Sequence, residues 1–498
     1  MLINAELLLQ YQRCKRRPFL DIHGDRSQRD APNELLVKLQ QDKISYQLGV
    51  LAQFNYLQPD YPRGNWQAGQ AATLDLMQRG VEYIRQGVLL VNYEDWSENL
   101  PESPSYEGYR LLSRPDLLIK QPGESHFGDW IYVPANLELG KRPKQEYQVV
   151  AAFHAQVLAM VQGVTPDLAW LKLRTKDTGY EVDLLKWRPQ MQSILQELIQ
   201  ALESPNAPEV FISRQKCSLC HWYGECYAIA QSQNHLSLLP GVTPIRYTQL
   251  QALSITTLES LANTSPSELE NLVGFDGEVA PKLVVQAQSV LQSRPFILPY
   301  TSPTADITFT APIEIYFDIE AQPDLNLNYL LGVLVVDKQA KTEQFYSFLA
   351  EQPEDEESIW QEFLDLVWQY PEAPIYHFCV YEFDTIKRLA KLYRTPSSSV
   401  HPILNRLVDV YEQLTQNVAL PIESYALKAI ARWLGFEWRN PEASGAKCIY
   451  WYDQWLTTGD RALLEMIQLY NEDDCRATRN VKDWFVDFMQ NEYGRRLA

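Results

Sequence analysis

The chain has 498 residues, enough for two to four domains each with a core of its own. Hydrophobic residues at 46% and charged ones at 21% exclude a disordered or membrane-embedded chain and fit a globular one. The formal net charge is −19, and residues 301–498 hold 31 acidic against 17 basic side chains, which excludes a generic nucleic-acid coat built on lysine and arginine. A local, metal-dependent grip on nucleic acid and no nucleic-acid binding at all both remain open.

Residues 2–17 read as an amphipathic helix carrying Cys14 and the basic flank Arg13, Lys15, Arg16 and Arg17. An apolar patch followed by basic residues reverses the order of a secretory signal. The longest apolar run, Tyr329 to Val336, has the length of a strand and not of a membrane span. A cytoplasmic protein without membrane contact is expected. Residues 34–57 and 68–90 alternate helical and apolar-run patterns, and Pro101-Glu102-Ser103-Pro104 marks a loop. Tyr109 to Lys120 and Trp130 to Leu139 read as two strands joined by the polar segment Gln121 to Asp129. A helix from Gln145 to Gln162, a strand near Leu168 to Leu173 and a helix from Arg188 to Leu202 follow.

Cys217, Cys220 and Cys226 then form a C-x2-C-x5-C cluster, a spacing that in a cytosolic chain points to metal rather than disulfides. Cys379, Cys448 and Cys475 are scattered, as packing residues are. Between Leu236 and Pro295 the texture changes to short helices: one over Tyr247–Ala252, one over Leu258–Ala262 capped at Thr256-Thr257, and a pair from Pro266 to Leu291. The segment looks like a helix-hairpin-helix unit, whose turn amides can hold a phosphate. With Arg246 and Lys282 nearly its only cations, a plain helical linker is the competing reading. Ser302 to Asp306 reads as a short linker.

The last domain opens with strands Ile313–Ile319, Leu330–Val336 and Gln344–Leu349, then a helix Ser358–Gln369 and a strand Ala373–Phe378. Asp318 and Glu320 stand i, i+2 in an otherwise apolar run, so both project from one strand face. Two like charges on an interior strand are costly unless a cation neutralises them. In Tyr470-Asn471-Glu472-Asp473-Asp474-Cys475, Tyr470 and Asp474 share a helix face. Carboxylates from a strand and a helix, converging on divalent metal, suit in-line attack of water on a phosphodiester. The plain alternative is a buried strand with edge carboxylates and a solvated acidic helix. Tyr381-Glu382-Phe383-Asp384 opens a helix through Leu392, and either carboxylate could point at Asp318. Asp409 reads as a supporting carboxylate or a strand-edge polar residue, and His377 and His401 as structural. A helix beginning at Ser424–Lys428 ends at Gly435.

The Asp-x-Glu strand, the middle acidic motif and the terminal Tyr-x3-Asp resemble the RNase H-like 3′–5′ exonucleases of the DEDD type. More closely they resemble the YprB-type domain fused behind a RecB-like nuclease domain. The resemblance implies an α/β multidomain chain. Residues 1–232 would be a RecB-like (PD-(D/E)XK-type) α/β core, 233–300 a small helical helix-hairpin-helix-like domain, and 305–498 an RNase H-like exonuclease domain. By the same resemblance Asp318, Glu320, Glu382 and Asp474 would hold two Mg²⁺ or Mn²⁺ ions, with Asp384 and Asp473 as alternative ligands, and Tyr470 would orient the attacking water. Counted from His377, where the pattern has Asn, the second acid falls at Glu382, whereas Phe383-Asp384 fits the broader form of the motif. The loop Ala443-Ser444-Gly445-Ala446-Lys447 also resembles a family loop.

In the iron–sulfur subgroup of RecB-like domains, one cysteine near the N-terminus joins three after the core, which matches Cys14 with Cys217, Cys220 and Cys226. Four cysteines suit Zn²⁺ or a [4Fe–4S] cluster, and the resemblance favours the cluster. Its nuclease site does not carry over intact. Asp116 fits the metal-binding aspartate, but the acidic-x-Lys positions read Asn136 and Glu138, and the upstream histidine position reads Tyr46. Glutamate cannot supply the cation that steadies developing charge, and Lys141 lies beyond a likely turn at Gly140. The N-terminal domain is therefore expected to keep its staple and to have lost its chemistry. The expected function is a metal-dependent 3′–5′ exonuclease acting on nucleic acid with a 3′ end, DNA before RNA, in repair or processing. The alternatives are a non-catalytic iron–sulfur nucleic-acid-binding or scaffold protein, and a nuclease acting through the N-terminal domain.

Overall fold

The computed structural model describes residues 1–32, 34–97, 108–174, 178–301 and 310–497. It divides into two compact units, residues 1–210 with 214–227, and residues 211–213 with 228–498. The loop expected at Pro101–Pro104 and the linker expected at Ser302–Asp306 lie outside the described residues.

The N-terminal unit holds two sheets. Leu2–Asn4, Arg110–Ser113 and Leu89–Asn92 form a three-stranded sheet. A five-stranded sheet runs in the order Tyr83–Arg85, Leu117–Ser125, Gly128–Glu138, Ala169–Leu173, Tyr180–Val182. Its one parallel pair, Gly128–Glu138 with Ala169–Leu173, needs a crossover, and the helix Gln145–Gln162 supplies it. That helix buries Val149, Ala151, Ala152, Phe153 and Leu158, so its face pattern is apolar nearly all round. The strand expected over Tyr109–Lys120 is two strands in different sheets, interrupted at Arg114–Asp116. Pro115 lacks the N–H a ladder needs, so the chain changes sheet there. The polar segment Gln121–Asp129 is a hairpin, with pairing that continues to Ser125 and resumes at Gly128. The helix expected over 2–17 is a strand Leu2–Asn4, a helix Ala5–Arg13 capped by the Asn4 side chain, and a helix Arg16–His23.

The second unit begins with the helices Pro244–Ala252, Leu258–Ala262, Pro266–Leu269 and Val279–Gln292, packed around Leu250, Leu261, Leu269, Phe275 and Leu283. Thr243 and Thr257 cap two of them through their side chains. Arg246 is turned to the backbone, donating to Gly274 O at 2.6 Å and Gly241 O at 2.7 Å. The segment is tied to the following sheet domain where Phe296–Ile297 pairs with Val418–Ala419 and Gln286 Nε2 donates to Leu420 O at 2.6 Å.

The C-terminal sheet has the order Thr342–Leu349, Leu327–Asp337, Ile313–Gln322, Ile375–His377, Leu407–Asp409. The first three strands are antiparallel meanders and the last two run parallel to Ile313–Gln322. Beneath it lies the helix Glu356–Trp368, which buries Ile359, Trp360, Phe363 and Val367. Along the central strand Glu314, Tyr316, Asp318 and Glu320 alternate onto one face. The long helix Arg461–Leu497 packs on that strand. Lys482 from the helix reaches Glu314 at 2.8 and 2.9 Å, and Lys338 and the Tyr316 hydroxyl add contacts of 2.6 and 2.7 Å. Burial alone would raise the Glu314 carboxyl, but the lysines and Tyr316 hold it below its ordinary value.

Breaking a buried pair leaves a charge uncompensated, which typically costs about 3–5 kcal/mol. Lys482→Met is expected to lower stability toward the small end of that range, because Lys338 still contacts Glu314. Urea unfolding would check this, and adding Glu314→Gln to Lys482→Met should recover most of the loss.

Candidate active site

Two turns back toward the start of the same helix, the strand–helix contact changes character. Asp318 and Glu320 from the strand meet Asp474 from the helix, and one ligand oxygen from each lies within 4.8 Å of the others. The ladder between Ile313–Gln322 and Leu327–Asp337 is bulged at Glu320/Ala321, immediately after the second carboxylate. Asp318 is held by Asn471 Nδ2, which donates to Oδ2 at 2.7 Å. Asp474 Oδ1 accepts from Trp438 Nε1 at 2.7 Å and the carboxyl also takes the Tyr470 hydroxyl. Asn471 fits because Gly332, opposite Asp318 in the ladder, has no side chain, and a Cβ there would strike Asn471 Oδ1.

Glu382 comes from the first turn of the helix Tyr381–Leu392 and is buried. Its charge acts on both Asp318 and Glu320. His377 Nδ1 stands 3.5 Å from Glu382 Oε2 and 2.6 Å from the Cys379 carbonyl. Cys379 is left-handed at φ 77°, an arrangement that costs a non-glycine residue of order 1–3 kcal/mol and is tolerated where the surroundings fix it. Asp409 supplies that support. Its Oδ1 accepts from the Cys379 amide at 3.0 Å and caps the helix Val410–Asn417 through Tyr411 and Glu412. Two buried acceptors at the site, Glu382 Oε2 and Asn471 Oδ1, have no hydrogen-bond donor among the described residues.

The electrostatics follow from this crowding. Burial first, and then the neighbouring carboxylates, push Asp318 and Glu320 well above the usual carboxylate range. Burial also raises Glu382, against the opposing effect of His377. Asp474 is raised to about 7, again by burial, despite the hydrogen bonds from Trp438 and Tyr470. Burial and the same carboxylates raise the Tyr470 phenol, so it stays protonated.

The two alternative carboxylates are placed elsewhere. Asp384 is exposed. Asp473 is buried but points to Arg439, accepting from its amide at 2.9 Å and its Nε at 2.8 Å. Cys475 donates to Gly332 O at 3.6 Å and Cys448 is buried, consistent with packing. Lys428 has no place in any motif, yet its charge acts on Glu320 and Asp474.

In the N-terminal unit Cys14, Cys220 and Cys226 interact electrostatically across more than 200 residues of chain. Arg16 hydrogen-bonds the Cys226 sulfur, and the Trp222 amide that of Cys220. Cys217 closes the short helix Arg214–Cys217, and its carbonyl accepts from the Cys220 amide at 2.9 Å. Asp21 stitches the same two segments, accepting from Trp222 Nε1 at 2.9 Å and meeting His221 Nε2 at 2.8 Å. Asp116 immediately precedes the strand Leu117–Ser125, and Glu138 ends the neighbouring strand Gly128–Glu138. Asp116 is engaged by Gln47 Nε2 at 3.0 Å and the Leu137 amide at 2.7 Å, and Glu138 by Lys43 Nζ at 3.2 Å. Asn136 Oδ1 and the Tyr46 hydroxyl are buried there without a partner among the described residues. Lys141 is exposed beyond the end of the strand. Lys43, the tenth residue of the helix Glu34–Leu51, belongs to no motif and was invisible to spacing arguments.

A family model described as RNase_H_2, of the RNase_H superfamily, matches residues 315–486. That span begins on the strand of Asp318 and Glu320 and ends past Asp474 in the long helix. Comparison with curated proteins gives no match. The chain thus contains an RNase H-like domain of nuclease type within a mixed α/β, multidomain fold. Among the described residues no helix is long and apolar enough to cross a membrane.

A carboxyl whose folded pKa is raised adds stability that is complete below its unfolded pKa and disappears as pH rises through the folded one. For Asp474 that window runs from about 4 to about 7. In EDTA the protein should therefore lose stability between about pH 4 and pH 7, by about 1.4 kcal/mol per pH unit for each retained proton. Asp318→Asn should flatten the slope. Thermal melts across this range would show it, and a Tm independent of both pH and the substitution would contradict it.

Proposed function

We propose that the C-terminal domain is a metal-dependent 3′–5′ exonuclease acting on DNA in repair or processing. One contrast carries the reading. On a single strand face the chain neutralises Glu314 with its own lysines, whereas a few residues on it assembles Asp318, Glu320, Asp474 and Glu382 and leaves buried acceptors unmet. A cluster so built is completed by a cation from outside. All-oxygen donors suit Mg²⁺ or Mn²⁺, and these four carboxylates would hold two such ions. Bound there, the ions would supply the charge that phosphodiester hydrolysis needs at the attacking and departing oxygens.

The remaining parts belong to the chain. Trp438 and Asn471 fix Asp474 and Asp318, and His377 and Asp409 fix the turn that presents Glu382. Tyr470, protonated and hydrogen-bonded to Asp474, orients a water rather than deprotonating it.

The N-terminal unit is proposed to be a RecB-like core without nuclease chemistry, serving to bind and position nucleic acid, with the helical segment 233–300 joining it to the exonuclease domain. Its mixed sheet with one crossover helix supports the first part, and the pairing of Glu138 with Lys43 supports the second. Cys14, Cys217, Cys220 and Cys226 are proposed to hold a [4Fe–4S] cluster that fixes the first helices to the segment after the core. The mutual electrostatic effect of Cys14, Cys220 and Cys226 supports a shared centre for these thiols.

Asp318→Ala should abolish degradation of 5′-labelled oligonucleotides from their 3′ ends in Mg²⁺ or Mn²⁺, by roughly 10³-fold or more, because an ion is left short of a ligand. Binding should persist, since the change also removes repulsion from phosphate. Tyr470→Phe should cost less. Degradation retained in a folded Asp318→Ala protein would end this reading. Separately, anaerobically purified protein should be brown with about four irons per chain, and Cys220→Ser should lose the colour. A colourless protein with one tightly held zinc would overturn the cluster and leave the staple standing.

A further inference from the structure

Lys428 is a cation next to the acidic cluster, acting on Glu320 and Asp474. It lies in the helix Leu427–Trp433, which packs on the long helix bearing Tyr470 and Asp474. Its ammonium is lodged between two rings, 4.9 Å from the centroid of Tyr470 and 5.3 Å from that of Trp438. One of its three N–H donors goes to the Ala443 carbonyl. Its charge acts on Glu320 and Asp474, but among the described residues no carboxylate oxygen takes a hydrogen bond from it. A lysine meant to neutralise an acid makes the direct contact, as Lys482 does with Glu314 at 2.8 Å. Lys428 is instead steered by two aromatic faces to the edge of the acidic cluster with two donors unspent.

We infer that Lys428 contacts substrate, and that its ammonium binds a non-bridging oxygen of the 3′-terminal phosphodiester. The inference rests on the nuclease reading and adds to it the group that meets the phosphate. Four carboxylates offset by two divalent ions leave nothing over for the phosphate's own negative charge, nor for the charge that builds on it during attack. A cation 4.9 Å from the centre of the Tyr470 ring, whose charge acts on Asp474, fills that need where it arises. It also explains the loop 443–447. Ser444 caps the helix Gly445–Thr458, and the preceding carbonyl of Ala443 anchors Lys428 in place.

The test uses the full chain and a single-stranded DNA oligonucleotide, with either a normal phosphate or a neutral methylphosphonate at the 3′-terminal linkage. Binding is read by fluorescence anisotropy in EDTA over a salt series, and degradation in Mg²⁺. Lys428→Met should weaken binding several-fold and reduce the salt slope by about 0.7, the value of one single-strand contact. The methylphosphonate should weaken the wild type by the same factor and leave Lys428→Met indifferent. Lys428→Arg, which keeps the charge, should restore part of both binding and turnover even if Lys428→Met is less stable. Independent, multiplying effects of the two changes, in a wild type that degrades the normal strand, would overturn the role of Lys428 alone. A wild-type chain that neither binds nor degrades DNA or RNA would overturn this inference and the nuclease reading together.

Discussion

The contact between one face of the strand Ile313–Gln322 and one face of the helix Arg461–Leu497 is the constraint on which the C-terminal domain depends. Both faces are continuous, and the side chains that meet across them are largely polar. At Glu314 the helix brings Lys482, which also lies over the rings of Tyr316 and Tyr376, and the charges cancel inside the protein. Toward Asp318 and Glu320 it brings Asn471, Tyr470 and Asp474, and they do not. Closely packed polar networks are worth having only when each member is satisfied. The first end meets that condition alone and can stabilise the domain. The second meets it only with something added, and that difference separates a structural ion pair from a site.

Around that end, specific contacts fix the backbone and side chains that present the acids. Gly332 leaves room for Asn471 and could not do so with any side chain. Cys379 accepts a left-handed backbone so that the chain can leave the strand Ile375–His377 and enter the helix of Glu382 within a few residues. Asp409 holds that turn with the same oxygen that caps the next helix. The unfavourable energy of massed carboxylates and a strained turn has to be offset by the large apolar core built on Phe317, Leu331, Val333, Phe363 and Ile386.

Much of this was legible in the sequence because it follows from periodicity. The i, i+2 carboxylates predict one strand face, and Tyr470 and Asp474 one helix face, without knowledge of the partner element. The helices Gln145–Gln162 and Tyr381–Leu392 have the bounds that their apolar spacing predicts. What spacing cannot supply is burial. Glu382 is preferred over Asp384 on paper only by counting from His377, and the fold is what buries one and exposes the other. Local breaks were also underread: the Arg114-Pro115 step diverts a strand to a second sheet, and Asn4 starts a helix where a longer one was expected. Lys43 and Lys428 belong to no motif. They become visible once tertiary contacts place a cation beside acids that come from distant parts of the chain.

Those two lysines answer the same problem in opposite ways. In the N-terminal unit Asp116 and Glu138 are raised by burial, as the acids of the C-terminal cluster are. There, however, Gln47 and the Leu137 amide hydrogen-bond Asp116, and Lys43 sits directly on Glu138, so the chain's own donors occupy the carboxylate oxygens. A divalent ion entering that pocket would have to displace a fixed ammonium and would find an asparagine where a third carboxylate is needed. In the C-terminal domain Lys428 makes its hydrogen bond to the Ala443 carbonyl rather than to the acids, and among the described residues Glu382 Oε2 is buried without a donor in hydrogen-bond geometry. The two lysines therefore differ in what they meet: Lys43 bonds Glu138 directly, whereas the hydrogen bond of Lys428 among the described residues goes to the Ala443 carbonyl. In a chain with a net charge of −19, the proposed binding of a polyanion has to rest on such placement of single cations rather than on overall attraction.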